Sequence, residues 1–129
     1  MDKIDGFLAA ARAANLEKTS EIIEGKASMG YGDDEMPLLG RTIAEQIAAR
    51  KVRPTGIVAL NDMLAMGLIL GLQNCGLRVP QDISIVGMDD LMTSAFIAPG
   101  ITSVRPPLAE MARTMVGRIV LRLGNPGTE

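Results

Sequence analysis

Apolar residues follow two kinds of pattern along this chain, and the two patterns predict alternating helices and strands. Apolar side chains at a 3.6-residue spacing predict helices, whereas short continuous apolar runs between turn signals predict buried strands. The alternation predicts an α/β fold with a mostly parallel sheet and right-handed crossovers. The predicted helices are Asp2–Asn15, Leu38–Lys51, Met63–Leu72 and Leu108–Leu123, the predicted strands are Ser20–Glu24, Gly56–Leu60, Ile83–Val86 and Ile101–Val104, and Gly25–Pro37 is a predicted loop.

Two of the predicted strands run into polar side chains. Asn61 and Asp62 follow the second strand, and Asp89 and Asp90 follow the third. In open parallel sheets the ligand crevice lies beyond the carboxyl ends of the strands. These four side chains therefore predict a polar small-molecule site. Each could instead cap the helix or turn that follows it, and this alternative is stronger for Asp62 and Asp90 than for the other two.

Composition narrows the class of protein. The chain has 129 residues, of which 47% are hydrophobic, so it is long enough and apolar enough for one globular domain. Aromatic residues make up only 2%, while nine residues are Met, which predicts an aliphatic core filled partly by methionine. The net charge is −2 without a block of like charges, which argues against direct binding of nucleic acid.

Several kinds of chemistry are disfavoured by residue usage. The chain has no His, which excludes His-based metal sites and catalytic dyads, and its one Cys precludes an internal disulfide. The acidic run Asp33–Glu35 could attract Ca²⁺ by charge, but it matches no metal-loop spacing, which favours a solvated loop. No metal and no cofactor are expected. The first residues lack the apolar core of a signal peptide, and no stretch is long enough to span a membrane, so a cytoplasmic location is expected.

Three segments resemble the LacI/GalR family of bacterial transcription regulators. They are Pro54–Asp62, Gly76–Asp90 and Pro99–Val104, which occur in this order and at the family's spacing. The resemblance implies the C-terminal part of the effector domain, which has a periplasmic-binding-protein-like (type I) fold of two α/β lobes around a sugar or another small metabolite. This chain would then be a truncated parallel-sheet, three-layer sandwich.

The resemblance also implies boundaries and missing parts. Residues 1–104 would form the C-terminal lobe without its first strand, and residues 105–129 would form the crossover and a helix of the N-terminal lobe. The DNA-reading helix-turn-helix would lie upstream, so DNA would be bound only through that missing domain. A lost central strand leaves its neighbours without ladder hydrogen bonds. Either Ser20–Glu24 closes up against Gly56–Leu60, or a second chain fills the gap in a homodimer, with exchange of the last helix as one possible form.

Four positions are candidate ligand contacts by this resemblance. Asn61 and Asp89 stand at family positions that face the ligand, and amides and carboxylates suit vicinal hydroxyls. Lys3 occupies the place of a family Arg, and Tyr31 lies in the loop where an aromatic ring often stacks on a sugar. The alternatives are a cap, a turn residue, a solvated lysine and an ordinary loop residue.

Three apolar residues are candidates for a subunit interface. The family pairs its subunits through the helix after the Asn-Asp motif and the segment after the Asp-Asp motif, which here contain Met66, Phe96 and Ile97. An exposed apolar patch of this kind is typical of an interface. The alternative is that these side chains belong to the ordinary core.

The expected function is therefore sensing of a sugar or another small metabolite in a transcription regulator, without catalysis. One alternative is the solute-binding component of a sugar transporter, which shares the fold. Another is an enzyme that uses Asp62 and Asp89 as an acid/base pair. The enzyme is disfavoured because the sequence shows neither a nucleophile beside a base nor a Gly-rich phosphate loop.

Overall fold

The computed structural model of the chain describes residues 3–25 and 35–124. Tyr31 and most of the predicted loop lie outside these ranges. In chain order the elements are α1 (Lys3–Ala13), a 3-10 turn (Glu17–Thr19), α2 (Glu35–Ala48), β1 (Gly56–Val58), α3 (Asp62–Asn74), β2 (Ser84–Met88), a second 3-10 turn (Met92–Ala95), β3 (Thr102–Val104) and α4 (Leu108–Gly124).

The sheet has three parallel strands in the order β1-β2-β3. Its register pairs Val58 with Val86 and Met88 with Val104. Helix α3 connects β1 to β2, as a parallel pair requires. The predicted α/β class with a parallel sheet is confirmed.

The core lies between the sheet and the packed pair α2 and α3. Its members are aliphatic and closely packed, as the composition predicts, but none of the buried core residues in the described ranges is Met, so the predicted filling of the core by methionine is wrong. Glycines let the two helices approach closely: a Cβ at Gly67 would lie 2.1 Å from the Pro37 carbonyl oxygen. Helix α2 begins three residues earlier than predicted, because a proline is tolerated in the first turn of a helix. The buried side chains are Ile43, Ala44, Ile47, Ala59, Ala65, Leu68, Ile69, Leu72, Val79, Ile83 and Ile85.

The predicted strand Ser20–Glu24 is wrong. No strand is assigned there; Ile22 is 42% exposed, while Ile23 packs against the core. The Glu21 carboxylate pairs with the Arg50 guanidinium, which ties the segment to the end of α2. A strand needs a ladder partner, and in the described ranges β1 pairs only with β2. The segment therefore does not close up against β1.

Helix α4 carries the predicted apolar stripe but does not bury it. All of its residues are exposed, with Leu108 at 62%, Met115 at 62% and Leu123 at 79%. The sheet face that carries Val58 and Val104 is also open, with these side chains 61% and 53% exposed. The described part of the chain thus has two uncovered apolar surfaces.

Candidate functional site

The ends of β1 and β2 bring Asn61 and Asp89 to the same edge of the sheet. Val58 pairs with Val86, and the next amide, that of Ala59, still donates to the Val86 carbonyl at 2.8 Å. Asn61 and Asp89 follow these paired strands at the same offset, three residues after Val58 and three after Val86. Parallel neighbours lie less than 5 Å apart, so one small ligand can reach both side chains.

Asn61 is the N-cap of α3. Its backbone is extended, and its Oδ1 accepts the amide of Leu64 at 2.9 Å. Capping uses only the side-chain oxygen, and an asparagine also carries an NH₂ group with two donors. Capping and ligand binding are therefore compatible at this residue.

Lys3 reaches the same edge from α1. Its Nζ donates to the Leu60 carbonyl oxygen at 2.9 Å, one residue before Asn61. An ammonium group has three donors, so this bond leaves two for a ligand or for water. The structure thus places Lys3 next to the chain segment that leads into Asn61.

Asp89 and Asp90 have left-handed backbone conformations, with φ of 106° and 52°. Aspartate tolerates this region better than most residues, but still at a cost of the order of 1–3 kcal/mol. The Asp89 amide donates to the Val104 carbonyl at 3.0 Å, and the Asp90 carboxylate pairs with the Arg105 guanidinium. Backbone outliers cluster at functional sites, which makes this turn a candidate for one.

Asp62 is completely buried and accepts three hydrogen bonds. Its Oδ1 accepts the Ser103 hydroxyl at 2.6 Å. Its Oδ2 accepts the Ser94 hydroxyl and the Leu91 amide, each at 2.8 Å. The cap of α3 is Asn61, so Asp62 has a role other than the capping alternative considered for it. Sequence reasoning missed this cluster and the two serines in it.

Gly87 shows how closely the Asp62 carboxylate lies against β2. A Cβ at this position would be 2.2 Å from Oδ1 of Asp62. A glycine within a strand often marks a close approach of another group. Gly87, which lies between Val86 and Met88 in the strand, is therefore the sequence signal that could have indicated this buried carboxylate.

Opposing effects act on the pKa of Asp62. Burial raises it, whereas the three hydrogen bonds from Ser103, the Leu91 amide and Ser94 lower it, with a smaller contribution from the nearby Asp90 amide. The hydrogen bonds together outweigh burial, so the pKa lies below its ordinary value and the carboxylate is ionised at neutral pH.

The candidate interface residues have different environments. Phe96 is 80% exposed, whereas Met66 is half-buried and Ile97 packs against the core. Near Phe96 lies a shallow, open depression of about 650 Å³, beside β3 and not between Asn61 and Asp89. The depression is lined by Asp90, Leu91, Met92, Ser94, Ala95, Gly100, Ile101 and Arg105.

Other functional features are sparse in residues 3–25 and 35–124. In these ranges no group of three or more acidic or Cys side chains is arranged to hold a metal ion. None of the helices there is both long and apolar enough to cross a membrane.

The fold and the polar edge of its sheet define a ligand-binding type of α/β domain. A family model described as a periplasmic binding protein-like domain matches residues 3–129, and the chain belongs to this family. More particularly, it corresponds to part of the effector domain of LacI/GalR-type regulators, which confirms the resemblance.

Individual relatives support this assignment. The HTH-type transcriptional repressor PurR of Serratia proteamaculans is 38% identical over 115 residues, which are 86% of this chain and 31% of the relative. The chain thus spans about a third of the length of this relative.

Solved structures of regulators share this fold. A LacI transcriptional regulator from a Rhodococcus species matches 96% of this chain and 43% of its own, with a TM-score of 0.79 and 27% identity. A LacI family regulator from Enterococcus faecium with bound ribose matches 98% of this chain and 44% of its own, with a TM-score of 0.74 and 27% identity.

Proposed function

We propose that this chain forms one wall of the effector site of a LacI/GalR-type transcription regulator. The wall binds a sugar or another polyhydroxylated metabolite through Asn61 and Asp89, with Lys3 beside them and Tyr31 as a further contact implied by the resemblance. The observation that supports the proposal is the register of β1 and β2, in which Asn61 and Asp89 follow the paired residues Val58 and Val86 at the same offset. The bound ribose in the Enterococcus faecium relative supports the class of ligand.

The mechanism is differential affinity between two conformations. Residues 1–104 form most of one lobe, and residues 105–129 lead into the other, so a ligand in the crevice favours the closed arrangement. A ligand shifts such an equilibrium only by as much as its affinities for the two states differ. DNA binding, through a separate helix-turn-helix domain, would be coupled to the same equilibrium.

The position of Asp62 counts against the enzyme alternative. An acid/base pair needs two carboxyl groups that can reach a substrate. The Asp62 carboxylate is buried and already accepts three hydrogen bonds, and its pKa is lowered. We therefore propose a non-enzymatic role. The similarity to transcriptional repressors favours a cytoplasmic regulator over a transporter component.

A thermal-shift screen tests whether the chain binds such ligands. Pentoses, hexoses and nucleosides are added to the full chain at concentrations up to about 100 mM. A ligand present at 100 times its dissociation constant stabilises a protein by about 2.7 kcal/mol. We expect an increase in melting temperature with at least one pentose or hexose, and none in the Asn61→Ala, Asp89→Ala double variant. No increase with any compound would contradict the proposal.

We also propose that the chain forms a homodimer through its uncovered apolar surfaces. The α4 stripe contains Leu108, Met115 and Ile119, all more than half exposed, and the open sheet face carries Val58. Exposed apolar surfaces of this extent are typical of interfaces. The dimer can form by mutual covering of these surfaces, including exchange of α4, or through Met66, Phe96 and Ile97.

Light scattering of the purified chain distinguishes these arrangements. A dimer is expected at micromolar concentration. The double variant Met115→Lys, Ile119→Lys should dissociate the dimer if α4 forms the interface. Phe96→Lys should dissociate it if Met66, Phe96 and Ile97 form the interface. Arg113→Lys, on the same helix, is the control and should leave the mass unchanged. A wild-type mass of 13.7 kDa would contradict the proposal.

A further inference from the structure

We infer that Asp62 is a positioning residue that holds Asp89 in its ligand-binding conformation. This inference deepens the proposed function and rests on it, because it assigns Asp62 a role in the same site without contact with the ligand. Its basis is a set of hydrogen bonds that joins the start of α3 to the turn after β2.

Two consecutive backbone amides of the turn depend on the Asp62 carboxylate. The Leu91 amide donates to Oδ2 directly at 2.8 Å. The Asp90 amide donates to the Ser103 hydroxyl oxygen at 2.9 Å, and that hydroxyl donates to Oδ1 at 2.6 Å. One carboxylate therefore fixes the two peptide units that follow Asp89.

These bonds oppose the backbone strain of the turn. Asp89 and Asp90 have φ of 106° and 52°, and a non-glycine residue stays in this region only where its surroundings hold it. Without the carboxylate, the amides of Asp90 and Leu91 would need new partners. The turn would relax toward negative φ, and the Asp89 side chain would turn away from the position opposite Asn61.

The Asp62 carboxylate also links the start of α3, where Asn61 lies, to the turn that contains Asp89. Asp62 directly follows Asn61, the N-cap of α3, and its side chain reaches across to the turn that contains Asp89. Gly87 leaves room for this approach, since any Cβ there would meet Oδ1. The distance between Asn61 and Asp89 is therefore set by a buried ion and by the strand register together.

Two serine variants separate positioning from general stability. Ser103→Ala and Ser94→Ala each remove one hydroxyl that donates to Asp62, but only the Ser103 hydroxyl also accepts the Asp90 amide. Ser103→Thr retains a hydroxyl and serves as the rescue variant. Asp62→Asn is the more severe change, and the serine pair remains informative if that variant does not fold.

The readouts are amide exchange, backbone chemical shifts and binding of D-ribose, all followed by NMR on the full chain. In Ser103→Ala we expect Asp90 amide exchange to rise about tenfold, the carbon shifts of Asp89 to leave the left-handed range, and ribose affinity to fall about tenfold. Ser94→Ala should change affinity less than about twofold, and Ser103→Thr should restore the wild-type values.

Three results would overturn the inference. One is equal behaviour of the Ser103→Ala and Ser94→Ala variants. Another is an Asp89 conformation that does not change when Ser103 is replaced. The third is faster Asp90 exchange with ribose affinity unchanged, which would make the network purely structural. If the wild type does not bind ribose while the exchange and shift results are as expected, the proposed ligand class fails and the conformational role of Asp62 stands.

Discussion

A single buried carboxylate organises the candidate site. Asp62 is ionised although it is fully buried, because the Ser103 and Ser94 hydroxyls and backbone amides offset the effect of burial on its pKa. A carboxylate whose pKa is lower in the folded than in the unfolded state stabilises the fold above the unfolded pKa. That contribution disappears as the pH falls through the folded pKa.

Asp62→Asn should therefore change the dependence of stability on pH. At pH 7 we expect its free energy of unfolding to be lower by about 1–3 kcal/mol, because the replacement loses a charged acceptor of buried donors. The difference from wild type should shrink below the ordinary pKa of 3.8. Urea denaturation between pH 2 and pH 7 measures it.

Asp82→Asn is the matched control. The Arg78 guanidinium donates to Asp82 and lowers the pKa of this carboxyl to about 2, so it also contributes to the acid dependence. Because this pair is on the surface, its loss should not remove the effect of Asp62. A difference between Asp62→Asn and wild type that is the same at every pH would contradict the assigned ionisation.

The left-handed backbone of Asp89 gives a second prediction. Glycine adopts φ of 106° without a Cβ penalty, so Asp89→Gly should be more stable than Asp89→Ala by about 1 kcal/mol. Both variants should lose ribose binding, because each lacks the carboxylate. Equal stability in urea would show that the backbone of Asp89 is not strained.

At the residue scale, the sequence predicted where the candidate site residues lie better than it predicted what each of them does. Asn61 and Asp89 follow the ends of β1 and β2, because strand ends follow from local patterns, while their roles as ligand contacts stay predictions. It could not be predicted that Asn61 caps α3 while Asp62 accepts buried hydrogen bonds. The role of Asp62 depends on Ser94 and Ser103, which are distant in sequence and adjacent only in the folded chain.

The elements that hold the site depend on close packing between α2 and α3. The Cβ of an alanine at Gly67 would lie 2.1 Å from the Pro37 carbonyl oxygen, and one at Gly40 would lie 2.5 Å from the Leu64 oxygen. Backbone atoms cannot rotate away as a flexible side chain can. The two helices would have to separate, which would disturb the core on which β1 and β2 rest.

Gly67→Ala should accordingly lower the free energy of unfolding by about 1–3 kcal/mol, the usual cost of overpacking. Gly117→Ala is the control, because a Cβ there meets nothing within 4 Å. In the middle of α4 it should stabilise the helix by up to about 1 kcal/mol. A destabilisation by Gly117→Ala as large as that by Gly67→Ala would show that the close contact is not responsible.

The missing strand at Ser20–Glu24 and the exposed stripe of α4 have a common cause. Apolar periodicity indicates which face of an element needs a partner, but not whether the partner is present. Ser20–Glu24 has strand-forming residues without a strand beside it, and α4 has a regular stripe without a surface against it. A strand cannot form without a ladder partner, whereas α4 keeps its helix and leaves its apolar stripe exposed.

At the scale of the whole molecule, the described chain forms one core and a sheet whose strand ends carry the candidate ligand contacts. The core between the sheet, α2 and α3 is aliphatic and closely packed. The open sheet face and the stripe of α4 are exposed apolar surfaces, and we expect self-association because a second copy of the chain would cover them. One wall supplies only part of a ligand's contacts, so we expect ribose to bind with a dissociation constant of about 1 mM or weaker, equivalent to about −4 kcal/mol.

An NMR titration of the ¹⁵N-labelled chain with D-ribose is the most direct measurement of effector binding. We expect saturable shifts of the amides around Asn61 and Asp89, and few elsewhere. Asn61→Asp keeps an N-cap but removes the amide donor, so it should retain wild-type stability and bind ribose at least about tenfold more weakly. Wild-type-like binding by Asn61→Asp, or shifts that do not saturate or do not involve Asn61 and Asp89, would contradict the proposed site.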